Sequence, residues 1–447
     1  MSERKRIYLC LAHMSDAGLE QKYIKEAFDT NWVVPLGPNV NGFEADLENF
    51  VNHKPDDSSN LDKRVVALSA GTAAVHLALN ACDVKSGDEV LVQSFTFCAS
   101  SHPITYLGAT PVFIDSEKDT WNMDPELLEE AIKDRIAKTG RKPKAIVPVA
   151  LYGMPYRIDK IMEIANRYEI PVVEDAAEGL GSRFDGQVLG TFGKYGVLSF
   201  NGNKMITTSG GGALITPDGD HWREIMMYAT QYRESYPYYQ HEKIGYNYRM
   251  SNICAGIGRG QMTVLNDHIN HHKHVQKMYE DLLSDVQGIT VHSQPATGEF
   301  DSNYWLCTIT LDPMLRIKGQ EQAYKTVVNG AVGGAAGVIH TADSATTDCQ
   351  PNANVEALRV ALDQAGIEAR PLWKPMHKQP VYRKGQRHTA IGQGYVCESF
   401  DNSVAYVNGV SESLFKVGVC LPSGPYVTDD DVRYIVDTIK QSISLNA

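Results

Sequence analysis

The chain has 447 residues, of which 43% are hydrophobic and 21% are charged, a globular composition that excludes a disordered or collagen-like chain. Asp and Glu total 54 against 42 Lys and Arg, so the formal net charge is −12 and general binding to nucleic acid is disfavoured. A chain of this length forms two or three domains, or one large α/β domain with a smaller appendage.

Short apolar runs alternate with amphipathic stretches from residue 65 to about residue 200. The apolar runs predict strands, and the amphipathic stretches predict helices. The predicted strands lie at 65–69, 88–93, 109–116, 144–153, 170–177, 194–200 and 211–217, and the predicted helices at 71–82, 124–140 and 158–169. Near-continuous apolar strands that alternate with helices favour an α/β fold with a mostly parallel sheet covered on both faces.

The second half of the chain begins with a long helical pattern at 262–286, which is expected to connect a second domain. The later predicted elements are strands at 303–311 and 367–373 and helices at 354–366 and 428–443. We therefore expect a large domain over 1–265 and a smaller C-terminal α+β domain over 266–447. A run rich in Gly, Ala and Thr at about 315–352 has no clear periodicity and predicts an insertion in the small domain.

The segment SAGTAA (69–74) follows the first predicted strand and opens the first predicted helix. Gly71 lets the backbone approach a ligand closely, and the N–H groups of Thr72 and Ala73 would face a phosphate at the helix N-terminus. One glycine in such a turn is weak evidence alone, because many α/β turns contain one. The G-x-G-x-x-G pattern of a dinucleotide site is absent here.

Two further positions, considered together with this helix start, indicate a cofactor site. Asp175 ends a predicted strand, where a carboxylate is more often a helix cap, and Lys204 lies in a polar turn between two strands, where a lysine is usually solvated. Ligands in parallel sheets bind beyond the carboxyl ends of the strands. An anion cradle, a carboxylate for a pyridinium nitrogen and a lysine for an aldehyde are together what pyridoxal 5'-phosphate needs.

Six motifs in chain order resemble those of the DegT/DnrJ/StrS family of sugar aminotransferases, which belong to the fold-type I pyridoxal phosphate enzymes. They are WVVPLGP (32–38), SAGTAAVHLAL (69–79), QSFTFCAS (93–100), EDAAEGLGS (174–182), SFNGNKMITTSGGGAL (199–214) and GYNYRMSNI (245–253). The resemblance covers nearly the whole chain except the 315–352 insertion. It implies the fold-type I transferase fold, with a mostly parallel central sheet and a smaller C-terminal α+β domain.

The resemblance implies a role for each matching residue. Lys204 and Asp175 would be catalytic: the lysine bonds to the cofactor and relays a proton, and the carboxylate pairs with the ring nitrogen. Phe97 would stack on the ring. The implied cofactor-binding set is Gly71, Thr72, Ala73, Phe97, Asp175, Glu178, Ser199, Asn201, Lys204 and Asn247.

Two of these positions carry additional expectations. Asn247 would reach the phosphate of a neighbouring subunit, which implies a homodimer with shared active sites. Glu178 departs from the family, which often has Gln near the phenolic oxygen of the cofactor. A carboxylate there repels a phenolate unless one of the two is protonated.

The segment ARPLWKPMHKQPVY (369–382) resembles the substrate-facing strand of relatives that act on UDP-linked 4-keto-6-deoxy-N-acetyl sugars. The implied substrate-binding residues are Leu36, Gly37, Pro38, Arg249, Trp373, Lys374 and His377. A structural role is as compatible with His377 as a substrate contact.

The implied reaction moves an amino group from a donor, expected to be glutamate, to the C4 ketone of such a UDP-sugar in surface glycan biosynthesis. Two alternatives stay open within the family. One is amination at C3 of a nucleotide sugar. The other is sugar 3-dehydration, against which Lys204 argues, because the dehydratases have histidine at that position.

The sequence also bears on membrane insertion, disulfide bonding and metal binding. No apolar run reaches the roughly 18 residues of a membrane-spanning helix, and eight scattered cysteines without a CxxC pair favour free thiols in the cytoplasm. The cluster DHINHHKH (267–274) suggests metal binding, but no carboxylate or cysteine completes a site. We therefore expect no metal and a solvated helix face there.

Overall fold

The structure is a computed structural model that describes residues 5–53, 61–324, 329–332, 335–338 and 349–444. Its helices are α1 (Leu19–Asp29), α2 (Pro38–Asn52), α3 (Gly71–Ala81), α4 (His102–Tyr106), α5 (Pro125–Thr139), α6 (Ile158–Tyr168), α7 (Gly219–Ala229), α8 (Asn252–Met262), α9 (Leu265–Leu283), α10 (Ala353–Gln364), α11 (Val410–Val417) and α12 (Asp429–Ser442).

The strands follow the same chain order. They are β1 (Arg64–Leu68), β2 (Glu89–Gln93), β3 (Thr110–Ile114), β4 (Ala145–Val147), β5 (Val173–Asp175), β6 (Arg183–Phe184), β7 (Gln187–Val188), β8 (Tyr195–Ser199), β9 (Gly212–Thr216), β10 (Ile289–Val291), β11 (Phe300–Asp301), β12 (Cys307–Leu311), β13 (Asn329–Val332), β14 (Ala335–Val338), β15 (Arg370–Pro371), β16 (His388–Gly392), β17 (Tyr395–Phe400), β18 (Ser403–Val407) and β19 (Gly418–Leu421).

The central sheet consists of two blocks, β3-β2-β4 and β5-β8-β9-β1. Isolated parallel bridges from Ile146 to Val172 and from Val149 to Asp175 join the blocks where β4 meets β5. The pairs β2/β3, β2/β4 and β5/β8 are parallel, whereas β9 runs antiparallel to both β8 and β1. The predicted mostly parallel sheet is confirmed, and its buried strands explain the continuous apolar runs in the sequence.

A C-terminal hairpin extends this sheet at its far edge. Strand β18 pairs in parallel with β3, with Val404 opposite Val112, and β17 and β16 follow in antiparallel order. The sequence analysis did not predict these three strands. The outermost strand, β16, is exposed and lacks an apolar run. The boundary between 1–265 and 266–447 stays a prediction, and strands from 388–407 lie in the sheet built by the first part of the chain.

A second, antiparallel sheet has the order β10-β12-β19-β15. Residues of α9, α10 and α12 cover it, and Tyr279, Ile309, Leu358 and Ile435 belong to its buried core. This is the α+β arrangement expected for the C-terminal part. Of the insertion predicted at 315–352, residues 325–328, 333–334 and 339–348 lie outside the described residues, and β13 and β14 pair antiparallel.

Some predicted elements have different bounds in the structure. The strand predicted at 144–153 ends at Val147, because Pro148 has no N–H to donate and residues 151–153 turn with Tyr152 at φ 55°. The helix predicted at 262–286 begins at Leu265, after a break that separates it from α8. Helices α1, α2, α4, α7, α8 and α11 were not predicted.

The prediction of a solvated histidine face on α9 is wrong for His268 and His272, which are both buried. Their i,i+4 spacing places them on the same face of the helix. The Nδ1 atom of His268 lies 3.1 Å from the Met205 carbonyl oxygen, and that of His272 lies 3.1 Å from the Tyr304 carbonyl oxygen.

Two histidines with strongly lowered pKa values predict a loss of stability in mild acid. Burial lowers the pKa of His272 and of His292, which stacks on Trp121 with ring centroids 3.6 Å apart, to about 3. An unfolded histidine titrates near 6.5, so the unfolded state binds more protons below that pH. Each histidine's contribution is therefore complete above pH 6.5 and declines by up to about 1.4 kcal/mol per pH unit as the pH falls towards 3.

Urea unfolding at pH 7.5 and 5.5 measures this effect. His292→Phe keeps a ring against Trp121 but removes one titrating group, so we expect its stability to fall less between the two pH values than that of the natural chain. Equal losses in the two proteins would contradict the assignment.

Candidate active site

Lys204 lies in the turn between β8 and β9, but its side chain points inward and is only 13% exposed. Its Nζ atom is 3.2 Å from Oε1 of Glu178 and 4.1 Å from the centroid of the Trp305 ring. The indole N–H of Trp305 donates to the carbonyl oxygen of Asn203 over 2.7 Å. The turn is therefore fixed by a residue 101 positions later, and the lysine is held in a polar pocket rather than in bulk solvent.

Asp175 ends β5 and is buried at the same edge of the sheet. Its Oδ2 accepts a hydrogen bond from the Ser100 hydroxyl over 2.6 Å, and its Oδ1 accepts one from the Ala177 N–H over 3.1 Å. Burial raises the pKa of this carboxyl, while the Ser100 hydrogen bond and the charge of Lys204 act in the opposite direction. The group is thus prepared to pair with a cation.

The neighbouring acid, Glu174, has a structural role. Successive residues of a strand face opposite sides. Glu174 accepts hydrogen bonds from the backbone N–H groups of Gly190, Phe192 and Gly193, and so holds the turn before β8. Of the two acidic residues at the end of β5, only Asp175 therefore belongs to the site.

Helix α3 begins at Gly71 without a side-chain cap, and the preceding Ala70 is extended. The first N–H groups of a helix have no partner within it, so those of Gly71, Thr72 and Ala73 form an anion-binding edge. A Cβ on Gly71 would lie 3.1 Å from the Cβ of Ser199. The structure therefore brings the hydroxyl of Ser199, at the end of β8, beside this helix start.

An aromatic wall borders the same region. Phe97 is 56% exposed, which is unusual for so large an apolar side chain, and its ring centroid is 5.5 Å from that of Trp373. The Trp373 N–H donates to the Tyr152 hydroxyl over 2.9 Å, and the two rings are 5.4 Å apart. An exposed aromatic face beside a helix start, a buried carboxylate and a lysine fits a flat, phosphate-bearing aromatic aldehyde.

Glu178, three residues after Asp175, is 4% exposed. Besides the contact with Lys204, its Oε2 accepts a hydrogen bond from the Tyr152 N–H over 2.7 Å. Burial raises the pKa of Glu178, and the charge of Lys204 opposes this. Sequence reasoning missed Ser100, Tyr152 and Trp305, since nothing local in the sequence shows which distant residues reach the lysine turn.

The predicted substrate residues fall into two groups. Leu36, Pro38, Trp373 and Lys374 are exposed or half-buried, and Gly37 adopts φ 135°, where a Cβ would lie 2.9 Å from Oδ1 of Asn252. The same Oδ1 of Asn252 accepts hydrogen bonds from the backbone N–H groups of Asn39 and Val40. The loop is therefore anchored at the start of α2.

Arg249 and His377 instead point into the protein. The Arg249 side chain is 8% exposed, forms an ion pair with Glu44 and donates to the Ala67 carbonyl oxygen over 3.0 Å. His377 is 3% exposed, its Nδ1 lies 2.6 Å from the Ser94 hydroxyl, and burial lowers its pKa to about 4. Their substrate contacts stay predictions, and the contacts seen here are structural.

Asn247 and Asn201 are exposed, and the Asn201 carbonyl oxygen accepts a hydrogen bond from the Lys204 backbone N–H over 3.0 Å. The Oδ1 of Asn247 accepts a hydrogen bond from the Gln231 side chain over 3.1 Å. The segment between α7 and α8 that carries Asn247 also exposes Tyr238 (62%) and Ile244 (86%). The contact of Asn247 with a second subunit stays a prediction.

Three general features of the described ranges bear on function. No three His, Cys, Asp or Glu side chains in them form a group that could hold a metal ion. No helix among these residues is both long and apolar enough to cross a membrane. All eight cysteines are free thiols.

Comparison with known proteins gives a consistent result. A family model described as "DegT/DnrJ/EryC1/StrS aminotransferase family" matches residues 15–332. The chain is 40% identical, over 97% of its length and 95% of the relative, to EpsN of Bacillus subtilis (strain 168), whose name gives it provisionally as a pyridoxal phosphate-dependent aminotransferase. It is 30% identical to the GDP-perosamine synthase of Escherichia coli O157:H7, over 98% of this chain and 99% of that one.

Among solved structures, a DegT DnrJ EryC1 StrS aminotransferase from Brucella abortus superposes with a TM-score of 0.75 at 25% identity, covering 95% of each chain. The predicted fold-type I transferase fold is thereby confirmed.

The close packing at Gly71 predicts that its replacement weakens phosphate binding. In Gly71→Ala, the added Cβ forces Ser199 to shift by a few tenths of an ångström and misaligns the N–H groups of the helix start. Loss of one hydrogen bond to a charged group costs about 1.5–3 kcal/mol, which is roughly tenfold or more in affinity for pyridoxal phosphate.

Fluorescence titration measures this affinity, with pyridoxal, which lacks the phosphate, as the comparison ligand. Gly210→Ala is the matched control, because a Cβ there meets nothing within 4 Å. Equal weakening of pyridoxal and its phosphate, or equal effects of the two substitutions, would overturn the role of this helix start.

Proposed function

The chain belongs to the DegT/DnrJ/EryC1/StrS family of pyridoxal phosphate-dependent sugar aminotransferases, and we propose that it moves an amino group from glutamate to the C4 ketone of a UDP-linked 4-keto-6-deoxy-N-acetyl sugar, for surface glycan biosynthesis. The observation that carries the proposal is the convergence of Lys204, Asp175 and the uncapped start of α3 at one edge of the sheet. Trp373, from the segment that resembles UDP-sugar enzymes, borders this edge.

When bound, pyridoxal phosphate supplies an electron sink and a carrier for the amino group. The chain's own residues supply binding and proton transfer. The start of α3 and the Ser199 hydroxyl would hold the phosphate, and Asp175 would keep the ring nitrogen protonated. The Nζ atom of Lys204 would bond to the aldehyde carbon with loss of water and, when released, would take and return the proton at the reacting carbon.

Phe97 and Trp373 have a separate part in this scheme. The exposed ring of Phe97 and the half-buried ring of Trp373 would pack against the flat cofactor and exclude water from one side of the site. Exclusion of water would strengthen the electrostatic contacts of Asp175.

A GDP-linked keto sugar is the second candidate substrate. The relative named as a GDP-perosamine synthase is 30% identical to this chain over almost the full length of both. The two candidates share the sugar chemistry at Lys204 and differ in the nucleotide, which the loop at Leu36–Pro38 and Trp373 would contact. Amination at C3 remains the other alternative within the family.

We also propose a homodimer with shared active sites in the cytoplasm. Asn247 lies in the segment between α7 and α8 that also exposes Tyr238 and Ile244, and Trp32, Val33 and Leu36 are exposed in the segment before α2. Exposed apolar side chains of this size are available for an interface. The free state of all eight cysteines supports the cytoplasmic location.

Lys204→Ala should abolish turnover and still bind the amine form of the cofactor, because Asp175, Phe97 and the helix start remain. Only the lysine amine can bond to the aldehyde and relay the proton. Borohydride reduction of the natural protein with pyridoxal phosphate, followed by peptide mapping, should place the label on Lys204. A label on Lys194 or Lys374, or appreciable turnover by the variant with glutamate and the UDP-sugar, would show that the site is assigned wrongly.

Shared sites predict a specific pattern of complementation. Lys204→Ala inactivates the site in its own subunit, and Asn247→Ala weakens phosphate binding in the neighbouring one, by about 1.5–3 kcal/mol for one charged hydrogen bond. A hybrid dimer with one variant in each subunit has one site with both defects and one with neither, so about half of the natural activity should return. Activity no higher than the sum of the two parent variants would show that each subunit has a complete site.

A further inference from the structure

Glu178 cannot leave its position beside Lys204 without breaking contacts to two other parts of the chain. The Tyr152 N–H donates to its Oε2 over 2.7 Å, and the Asn303 side-chain amide donates to its carbonyl oxygen over 2.9 Å. The remaining oxygen, Oε1, is 3.2 Å from Nζ of Lys204. With 4% of the residue exposed, water contributes little to stabilising a charge there.

The groups around Glu178 leave Lys204 as its counter-ion. Within the described ranges, Lys204 is the basic side chain that lies within 4.0 Å of this carboxylate. Asp175 adds a second negative charge. Cys420 and Tyr152 also face it, but burial raises the pKa of the thiol to about 12 and that of the phenol well above 10, so both stay neutral. Two carboxylates thus share one ammonium group.

Trp305 keeps the ammonium in this place. The centroid of its ring is 4.1 Å from Nζ, which is within the range of a cation–π contact. The Ser423 hydroxyl donates to its carbonyl oxygen over 2.8 Å, and its indole N–H holds the lysine turn at Asn203. Trp305 is therefore a positioning residue for Lys204.

The proposed function requires Lys204 to become a neutral amine before it bonds to an aldehyde carbon. Glu178 would then be a buried carboxylate without a cation, next to Asp175. Such a group is strongly disfavoured and takes up a proton where one is within reach. The nearest proton is the one that Lys204 must lose.

We propose that Glu178 accepts the proton of the Lys204 ammonium when the lysine bonds to the cofactor, and that it stays a neutral acid in the loaded protein. The Nζ–H bond breaks and an Oε1–H bond forms, so the ammonium–carboxylate pair becomes an amine and a carboxylic acid with no change in net charge. The amine then bonds to the aldehyde carbon, and the aldehyde oxygen leaves as water with the two remaining Nζ protons. The inference rests on the proposed function. It also removes the repulsion expected from a carboxylate near a phenolic oxygen, since the neutral acid donates a hydrogen bond, as the more usual Gln does.

Infrared difference spectroscopy tests the protonation directly. Pyridoxal phosphate is added to the cofactor-free protein, and the C=O stretch of protonated carboxylic acids is followed in H2O and D2O. The natural protein should gain one such band per subunit, shifted in D2O. Glu178→Gln, which is nearly isosteric and retains an acceptor for the Tyr152 N–H, should bind the cofactor without gaining the band.

Lys204→Ala provides an independent variant should Glu178→Gln fail to fold. It removes the cation in advance, so its carboxylic acid band should be present before the cofactor is added and unchanged afterwards. The proposal is overturned if the natural protein gains no band while borohydride places the label on Lys204. It is also overturned if the band persists in Glu178→Gln, which assigns it to another acid, or is absent from cofactor-free Lys204→Ala. Failure of the label itself defeats the proposed function, and the two failures are thereby distinguished.

Discussion

The start of helix α3 packs directly on the backbone of strands β8 and β9, and the geometry of the site depends on this contact. A Cβ on Gly212 would lie 2.4 Å from the nitrogen of Gly71, and one on Gly71 would lie 3.1 Å from the Cβ of Ser199. Only glycine permits backbones to approach this closely. The turn that carries Lys204 joins the same two strands, so the anion-binding helix start and the lysine are held in a fixed relation.

The charges at this edge of the sheet form a cluster that a ligand would complete. Asp175 and Glu178 are buried together with one ammonium group, so the cluster is short of one positive charge. Natural proteins keep such unfavourable arrangements mainly where they serve function. A cofactor with a protonated ring nitrogen, bound as proposed beside Asp175, would supply the missing charge. The same electrostatic imbalance underlies both the cofactor assignment and the proton transfer to Glu178.

The sequence predicted the parts of the fold that depend on local pattern. Apolar runs located most strands of the central sheet, and the strand-end rule placed Asp175 near Thr72 and Phe97. The sequence pattern did not predict contacts between distant segments of the chain. The indole of Trp305 reaches Asn203, and Arg249 pairs with Glu44, 205 positions away, rather than facing substrate. His268 and His272 of α9 are buried against the backbone at Met205 and Tyr304, which their polar character did not indicate.

The most direct measurement of the central claim follows the transferred nitrogen. The protein with pyridoxal phosphate is incubated with ¹⁵N-glutamate and either a UDP-linked or a GDP-linked 4-keto-6-deoxy sugar, and the product is examined by NMR. We predict ¹⁵N bonded to C4 of the UDP-linked N-acetyl sugar. Nitrogen at C3, loss of the 3-hydroxyl without nitrogen transfer, or transfer confined to the GDP-linked sugar would contradict the account.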